Sequence, residues 1–215
     1  MEFVLDNLDL YWKGFFTTLQ LALISGVIAL VLGTVLAAFR VSPVPPLRWM
    51  GAVYVEIVRN TPLTVVFFFI VFVAPRLDVK LPFFTSALVA LSIYTASFVC
   101  EALRSGVNGV AVGQAEAARS VGMTFFQTLT LVVLPQAARS VVPPLINIFI
   151  ALTKNTSVAG AFFVAELFNV GRRLTNADAR YGTEALIAVA LFYLLITIPA
   201  GFAASRVERK VAIAR

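Results

Sequence analysis

Apolar residues run almost unbroken through five stretches of this chain, at about 15–38, 50–74, 83–102, 139–160 and 185–204. A helix needs about 20 mostly apolar residues to cross the hydrocarbon of a bilayer. Each stretch meets that length, and the pattern predicts an all-α integral membrane protein with five transmembrane helices in a single domain over 1–215. The first and last stretches, Phe15 to Ala38 and Ala185 to Ala204, carry no charge. The third, from Phe83 to about Glu101, is polar mainly through Thr, Ser and Tyr. The other two are interrupted: Trp49 to Ala74 by Arg59-Asn60-Thr61-Pro62, and Val141 to Val170 by Lys154-Asn155-Thr156-Ser157 and Gly160. No internal repeat or low-complexity linker divides the chain.

Composition agrees with this pattern. The 215 residues are 60% hydrophobic and 13% charged, with a mean hydropathy of +0.93. One Cys and no His exclude an internal disulfide, a Cys/His metal site and catalysis by a histidine base. Cys100 is expected to be a small apolar packing residue. No Gly-x-x-x-x-Gly-Lys-Ser/Thr stretch is present, so the chain has no P-loop with which to hydrolyse ATP. No covalent chemistry and no cofactor are expected of it. The net charge of +6 comes from Lys and Arg scattered at segment ends, which fits topology signalling and not nucleic-acid binding. The acidic start, MEFVLDNLDLYWKG, lacks the basic region and cleavage site of a secretory signal, so the first span is expected to be retained.

Five spans put the termini on opposite sides, and the charge bias of the loops chooses between them. With the N-terminus outside, the inner segments hold Arg40, Arg48, Arg104, Arg119, Arg139, Arg206, Arg209, Lys210 and Arg215. The outer ones hold Lys13, Arg76, Lys80, Arg172, Arg173 and Arg180. This excess predicts N-out, C-in, and it places the segment 113–135 between spans three and four in the cytoplasm.

That segment reads GQAEAARSVGMTFFQTLTLVVLP. Gln114 to Val121 contains good helix formers with Glu116 near its start, and Gly122 is suited to a left-handed cap. Thr124 and Gln127 have capping-box spacing for a second helix. Phe125, Phe126, Leu129 and Val133 are spaced to anchor that helix on the membrane domain, and Pro135 is expected to end it. The residues leave two readings open: a bent helix pair lying in another protein's groove, or a solvated loop with a surface pair between Glu116 and Arg119.

Glu116-Ala117-Ala118, then Gly122, then Val132, Leu134 and Pro135, resemble the EAA loop of permease subunits in ATP-binding-cassette importers. The family pattern usually has Ile where Val132 stands. VRNTPLTVVFFFIVF (Val58 to Phe72), ALTKNTSVAGAFFVAELF (Ala151 to Phe168) and YTASFVCEALRSGVNGVAVGQ resemble the polar-amino-acid branch, covering most of residues 15 to 205. The overall likeness is to actinobacterial glutamate permease subunits. The resemblance implies that Gln114 to Gly122, including Arg119, forms a coupling helix seated on an ATP-binding subunit. It also implies a second permease subunit, identical or paralogous, and two ATP-binding-cassette subunits carrying ATP and Mg. An extracytoplasmic substrate-binding protein would deliver a polar amino acid, glutamate or a close relative. The expected location is the cytoplasmic membrane of a bacterium, and the expected cycle is alternating access.

A charge at the centre of a span costs about 2.5 to 3.5 kcal/mol on insertion scales, so it needs a partner, water or a purpose. Lys154, with Asn155, Thr156 and Ser157, is the leading candidate for lining a substrate path. Glu166, about three turns further on, is a candidate to meet an ammonium group. The alternative is that Lys154 pairs with a carboxylate such as Glu101 and serves packing alone. Arg59 is placed to snorkel or to pair with Glu56 at i−3. Asn60 and Thr61 are suited to satisfying backbone groups freed by Pro62, and Arg59 to Pro62 is read as a gate or hinge. A rival reading for the whole chain is an autonomous ion-gradient-driven transporter or channel. The absence of an inverted repeat weighs against it.

Overall fold

The computed structural model describes residues 2–211, with side chains over 3–209. Arg215 and the side chain of Lys210, counted above in the basic C-terminal segment, lie outside them. Ten α-helices follow one another, and no strand occurs among the described residues. A short α1 (Glu2–Asp6) leads into α2 (Leu8–Val41). Next come α3 (Pro45–Asn60), α4 (Leu63–Phe68) and α5 (Phe83–Asn108). After α6 (Val112–Ser120) and α7 (Phe125–Gln127), α8 (Leu134–Ala161) forms the fourth long helix. The chain closes with α9 (Leu167–Ala177) and α10 (Gly182–Val211).

Among the described residues, four helical stretches are long and apolar enough to cross a membrane: Leu8–Val41, Phe83–Asn108, Phe125–Ala161 and Ala179–Arg209. The fifth region is a broken pair, Pro45–Asn60 and Leu63–Leu77, that meets at 102°. The bend is far sharper than a kink within one rod. Pro62 cannot donate to the ladder, and Thr61 at ψ 130 is already extended. The side chains of the last turn bond its carbonyls, Asn60 Nδ2 donating to Glu56 O at 2.7 Å and Thr61 Oγ1 to Ile57 O at 2.7 Å, while the Val58 carbonyl that Pro62 leaves accepts from the Thr61 N–H at 3.3 Å.

Pro135 does not end its helix, contrary to the sequence expectation. A π-helical stretch, Thr128–Val133, precedes it, and the Leu134 N–H reaches back five residues to Leu129 O. The wider turn lets the helix pass a residue with no N–H, and Pro135 sits in the first turn of α8 where no donor is required. At its other end α8 stops at Phe162, and Phe163 adopts the left-handed region at φ 68.

Small residues let the long helices approach closely, as membrane packing requires. A Cβ on Gly33 of α2 would lie 2.6 Å from Val99 of α5, and one on Gly106 of α5 would lie 2.0 Å from Val141 of α8. The core follows the bundle axis. Tyr11, Leu167, Val170 and Phe192 fill the end where α9 lies. Leu21, Phe67, Leu91 and Leu152 occupy the middle, and Leu36, Val55 and Cys100 the end near α6. Leu23, Val27, Val31, Leu195 and Phe202 point outward, as side chains solvated by lipid would.

Candidate functional site

The elbow after α5 is built from the devices its sequence announces. Gly122 sits at φ +87, its N–H donates to Arg119 O at 2.9 Å, and the Met123 N–H reaches Ala118 O at 3.1 Å. Those two bonds close α6 as a Schellman motif, which a side chain at Gly122 would strain. The Thr124 hydroxyl accepts from the Gln127 N–H at 3.2 Å and the Gln127 side chain accepts from the Thr124 N–H at 2.9 Å, completing the capping box. α6 begins at Val112, earlier than expected, so Glu116 lies beyond its first turn.

Ala118 is buried, while Gln114, Glu116, Ala117 and Arg119 are exposed. No ion pair joins Glu116 to Arg119 among the described residues. Phe125 and Phe126 do not anchor the second helix: they are 61% and 71% exposed, with Val121 at 78%. Leu129 and Val133 are half-buried, and Leu134 and Pro135 are exposed at the start of α8. The elbow therefore presents polar and apolar side chains together on an uncovered surface.

The break between α3 and α4 carries a charge cluster that sequence reasoning did not assemble. Glu101 of α5 is engaged by Arg104 of its own helix, with Arg40 of α2 and Arg59 of α3 each at 3.9 Å. The expected Arg59–Glu56 pair is not formed, because the bend carries Arg59 towards α5. There its guanidinium also lies 5.5 Å from the centre of the Phe98 ring, and Glu56 accepts instead from Asn60. Beside this cluster a cleft of about 430 Å³ opens between α3, α5 and α8, lined by Arg59, Phe98, Glu101, Ser105, Ser140 and Pro144 among others. A carboxylate ending an apolar span was the one available signal for Glu101. Arg104 is its i+3 neighbour, but Arg40 and Arg59 come from two other helices.

Ser140, Pro144, Ile148 and Asn155 recur at helical spacing along α8, so the stripe that walls the cleft continues to Asn155. Lys154 sits one residue to the side, exposed and without an ion-pair partner among the described residues. Glu101, the alternative partner, is held by arginines. The hydroxyls of Thr156 and Ser157 bond carbonyls of their own helix, Thr153 O at 2.7 Å and Lys154 O at 2.8 Å. Thr156 faces the core.

Glu166 is fully buried. It caps α9, accepting from the Asn169 N–H at 2.7 Å and the Phe168 N–H at 2.9 Å, and it takes a third bond from Tyr193 Oη at 2.8 Å. Thr18 Oγ1 accepts from the Leu167 N–H at 3.2 Å, tying α2 to the same turn. In this conformation Glu166 is a structural clasp of α2, α9 and α10, and no part of it reaches the cleft. At the other end of α9, hydrogen bonds from the exposed Arg180 guanidinium hold the Asp178 carboxyl below the usual carboxylate range.

Long apolar helices, one broken pair beside a charged cleft and a capped elbow together have the architecture of a helical membrane protein. The chain belongs to the family of binding-protein-dependent transport system inner membrane components, whose profile matches residues 14–213. It is 37% identical to a probable glutamine ABC transporter permease of Bacillus subtilis strain 168, covering 98% of this chain and 97% of that one. It is 36% identical to a glutamate transport system permease of Corynebacterium efficiens, covering 93% of each. Its fold is similar to a crystal structure of an amino acid ABC transporter with histidines, at a TM-score of 0.92 and 28% identity over 96% of each chain. The chain is thus a permease of the polar-amino-acid ABC importer type.

Proposed function

We propose that the chain is the membrane subunit of an ATP-driven importer for glutamate or a close relative such as glutamine, set N-out and C-in in the cytoplasmic membrane of a bacterium. Glutamine and glutamate are the substrates named for the relatives above. In this reading α6 is the coupling helix. The uncovered elbow supports it, because Val121, Phe125 and Phe126 would be costly to leave in water. A groove on an ATP-binding subunit would cover them while Glu116 and Arg119 fix the register. The second permease, two ATP-binding subunits and an extracytoplasmic binding protein complete the machine, with ATP and Mg held by the ATP-binding subunits.

Closure of those subunits moves α6, which turns at the Gly122 elbow into α7, and α7 runs on through the π stretch into α8. At its other end α6 is joined to α5. Two of the three helices that wall the charged cleft, α5 and α8, are therefore the two that the elbow moves, and the third wall is the end of α3 at the Arg59 to Pro62 break. Alternating access follows from opening and closing that cleft. Asn155 and Lys154 mark the path beyond it, with Lys154 placed to attract a substrate carboxylate. Uptake of labelled glutamate into vesicles holding the assembled complex tests this: Lys154→Met is expected to raise the half-saturating concentration at least several-fold. Unchanged affinity and turnover would remove Lys154 from the path.

A further inference from the structure

The charged cleft, of about 430 Å³, is large enough for a small ligand, and the polar groups on its walls do not use one another up. Arg104 gives Glu101 Oε1 two hydrogen bonds, from Nε at 3.1 Å and from Nη2. Arg40 and Arg59 approach the other oxygen, Oε2, at 3.9 Å each, beyond hydrogen-bond reach. Among the described residues, Oε2 accepts no hydrogen bond and the Arg59 guanidinium donates none. Phe98, whose ring centre lies 5.5 Å from the Arg59 guanidinium, attracts that cation without engaging an N–H.

The third wall adds acceptors. Pro143 and Pro144 lie inside α8, and Pro144 has no N–H to give the Ser140 carbonyl four residues back. Ser140 and Pro144 both line the cleft, so this carbonyl stands on its wall without an α-helical donor. The Ser140 hydroxyl donates to Ala137 O at 2.8 Å, which leaves its oxygen to accept.

We propose that this end of the cleft binds the head group of an α-amino acid, with Arg59 taking the carboxylate and Glu101 Oε2 and the Ser140 carbonyl taking the ammonium. A plain anion would satisfy Arg59 but face a carboxylate oxygen and a carbonyl. A plain cation would satisfy those two but face Arg59. A zwitterion meets both sets, and a carboxylate suits the planar guanidinium fork. Pro144 lies about 15 Å along α8 from Lys154, further than one amino acid reaches, so this is a second station and not an extension of the first. The inference rests on reading the cleft as the route of a polar amino acid. An arriving carboxylate competes with Glu101 for Arg59, so occupancy loosens the contact between α3 and α5 at the break.

The test is equilibrium binding of labelled glutamate, and of labelled glutamine in turn, to the complex of all co-purifying subunits in lipid nanodiscs. Wild type is expected to bind with two affinities, one lost in Lys154→Met and the other at least tenfold weaker in Arg59→Gln, with the Lys154 site retained there as a check on folding. Ser105→Phe, which puts a ring into the cleft from an exposed position and touches no ion pair, is expected to weaken the same site and answers the question if Arg59→Gln does not fold. In the Lys154→Met background glycine, which is little more than the head group, is expected to displace the remaining label. Glutarate, which has carboxylates and no ammonium, is expected to do so at least tenfold less well. Unchanged binding in the folded Arg59→Gln complex, or in Ser105→Phe, would overturn the site, and displacement by glutarate as good as by glycine would overturn its assignment to a zwitterion. ATP-driven uptake with no site sensitive to Arg59 would overturn this inference and leave the importer reading standing. Label bound at Arg59 in a complex that takes up no amino acid would support the site and overturn that reading.

Discussion

Two residues show how much one position controls. Gly122 has φ +87, and a Cβ placed on it would have no neighbouring atom within 4 Å, so Gly122→Ala meets conformational strain alone, about 1–2 kcal/mol. The elbow stands away from the core, so the expected outcome is a nearly unchanged Tm in detergent with reduced coupling of ATP hydrolysis to uptake. A large fall in Tm would mean that the elbow is part of the folding core. Glu101 is the opposite case, because its carboxylate is the shared ion-pair partner of Arg40, Arg59 and Arg104. Glu101→Gln should lower stability by about 1–3 kcal/mol, the scale of a charge-assisted hydrogen bond, and Arg59→Gln added to it should cost less than the two single losses summed. Strict additivity in thermal melts would show that the two do not interact.

At the scale of elements, Gly106 faces Val141 so closely that a Cβ there would sit 2.0 Å from Val141 Cγ2. Gly106→Ala therefore forces α5 from α8, with a loss of about 1–3 kcal/mol, read as a lower Tm, and Val141→Ala should restore part of it. Pro62 sets the break between α3 and α4. Pro62→Ala is expected to change the transport rate more than the yield of assembled complex, and unchanged transport would remove the break from the mechanism. Elements of this kind differed in how legible they were. The apolar stretches, the Gly122 elbow and the Thr124–Gln127 capping box are local patterns, and all were readable along the chain. The 102° angle was not, since Pro62 states that a helix stops but not where the next one goes. Nor was the π stretch before Pro135, whose acceptor lies one residue further back than an α-helix allows. The distant partners of Glu101 and Glu166 were hidden for the same reason. Their partners, Arg40 and Arg59 for one and Tyr193 for the other, are distant in sequence and meet only when the bundle closes.

In the whole molecule, the proposed cycle brings a partner's movement in through α6 and out through α5 and α8 at the cleft. The most direct measurement compares wild type with Glu116→Lys, each co-expressed with its ATP-binding subunit. It follows pull-down of that subunit, then binding-protein-stimulated ATP hydrolysis and uptake in liposomes. The account predicts that wild type retains the ATP-binding subunit and couples hydrolysis to uptake, whereas Glu116→Lys inserts normally but loses the subunit or the coupling. Full coupling in Glu116→Lys, or uptake by wild type driven by an ion gradient with no ATP-binding subunit attached, would contradict it.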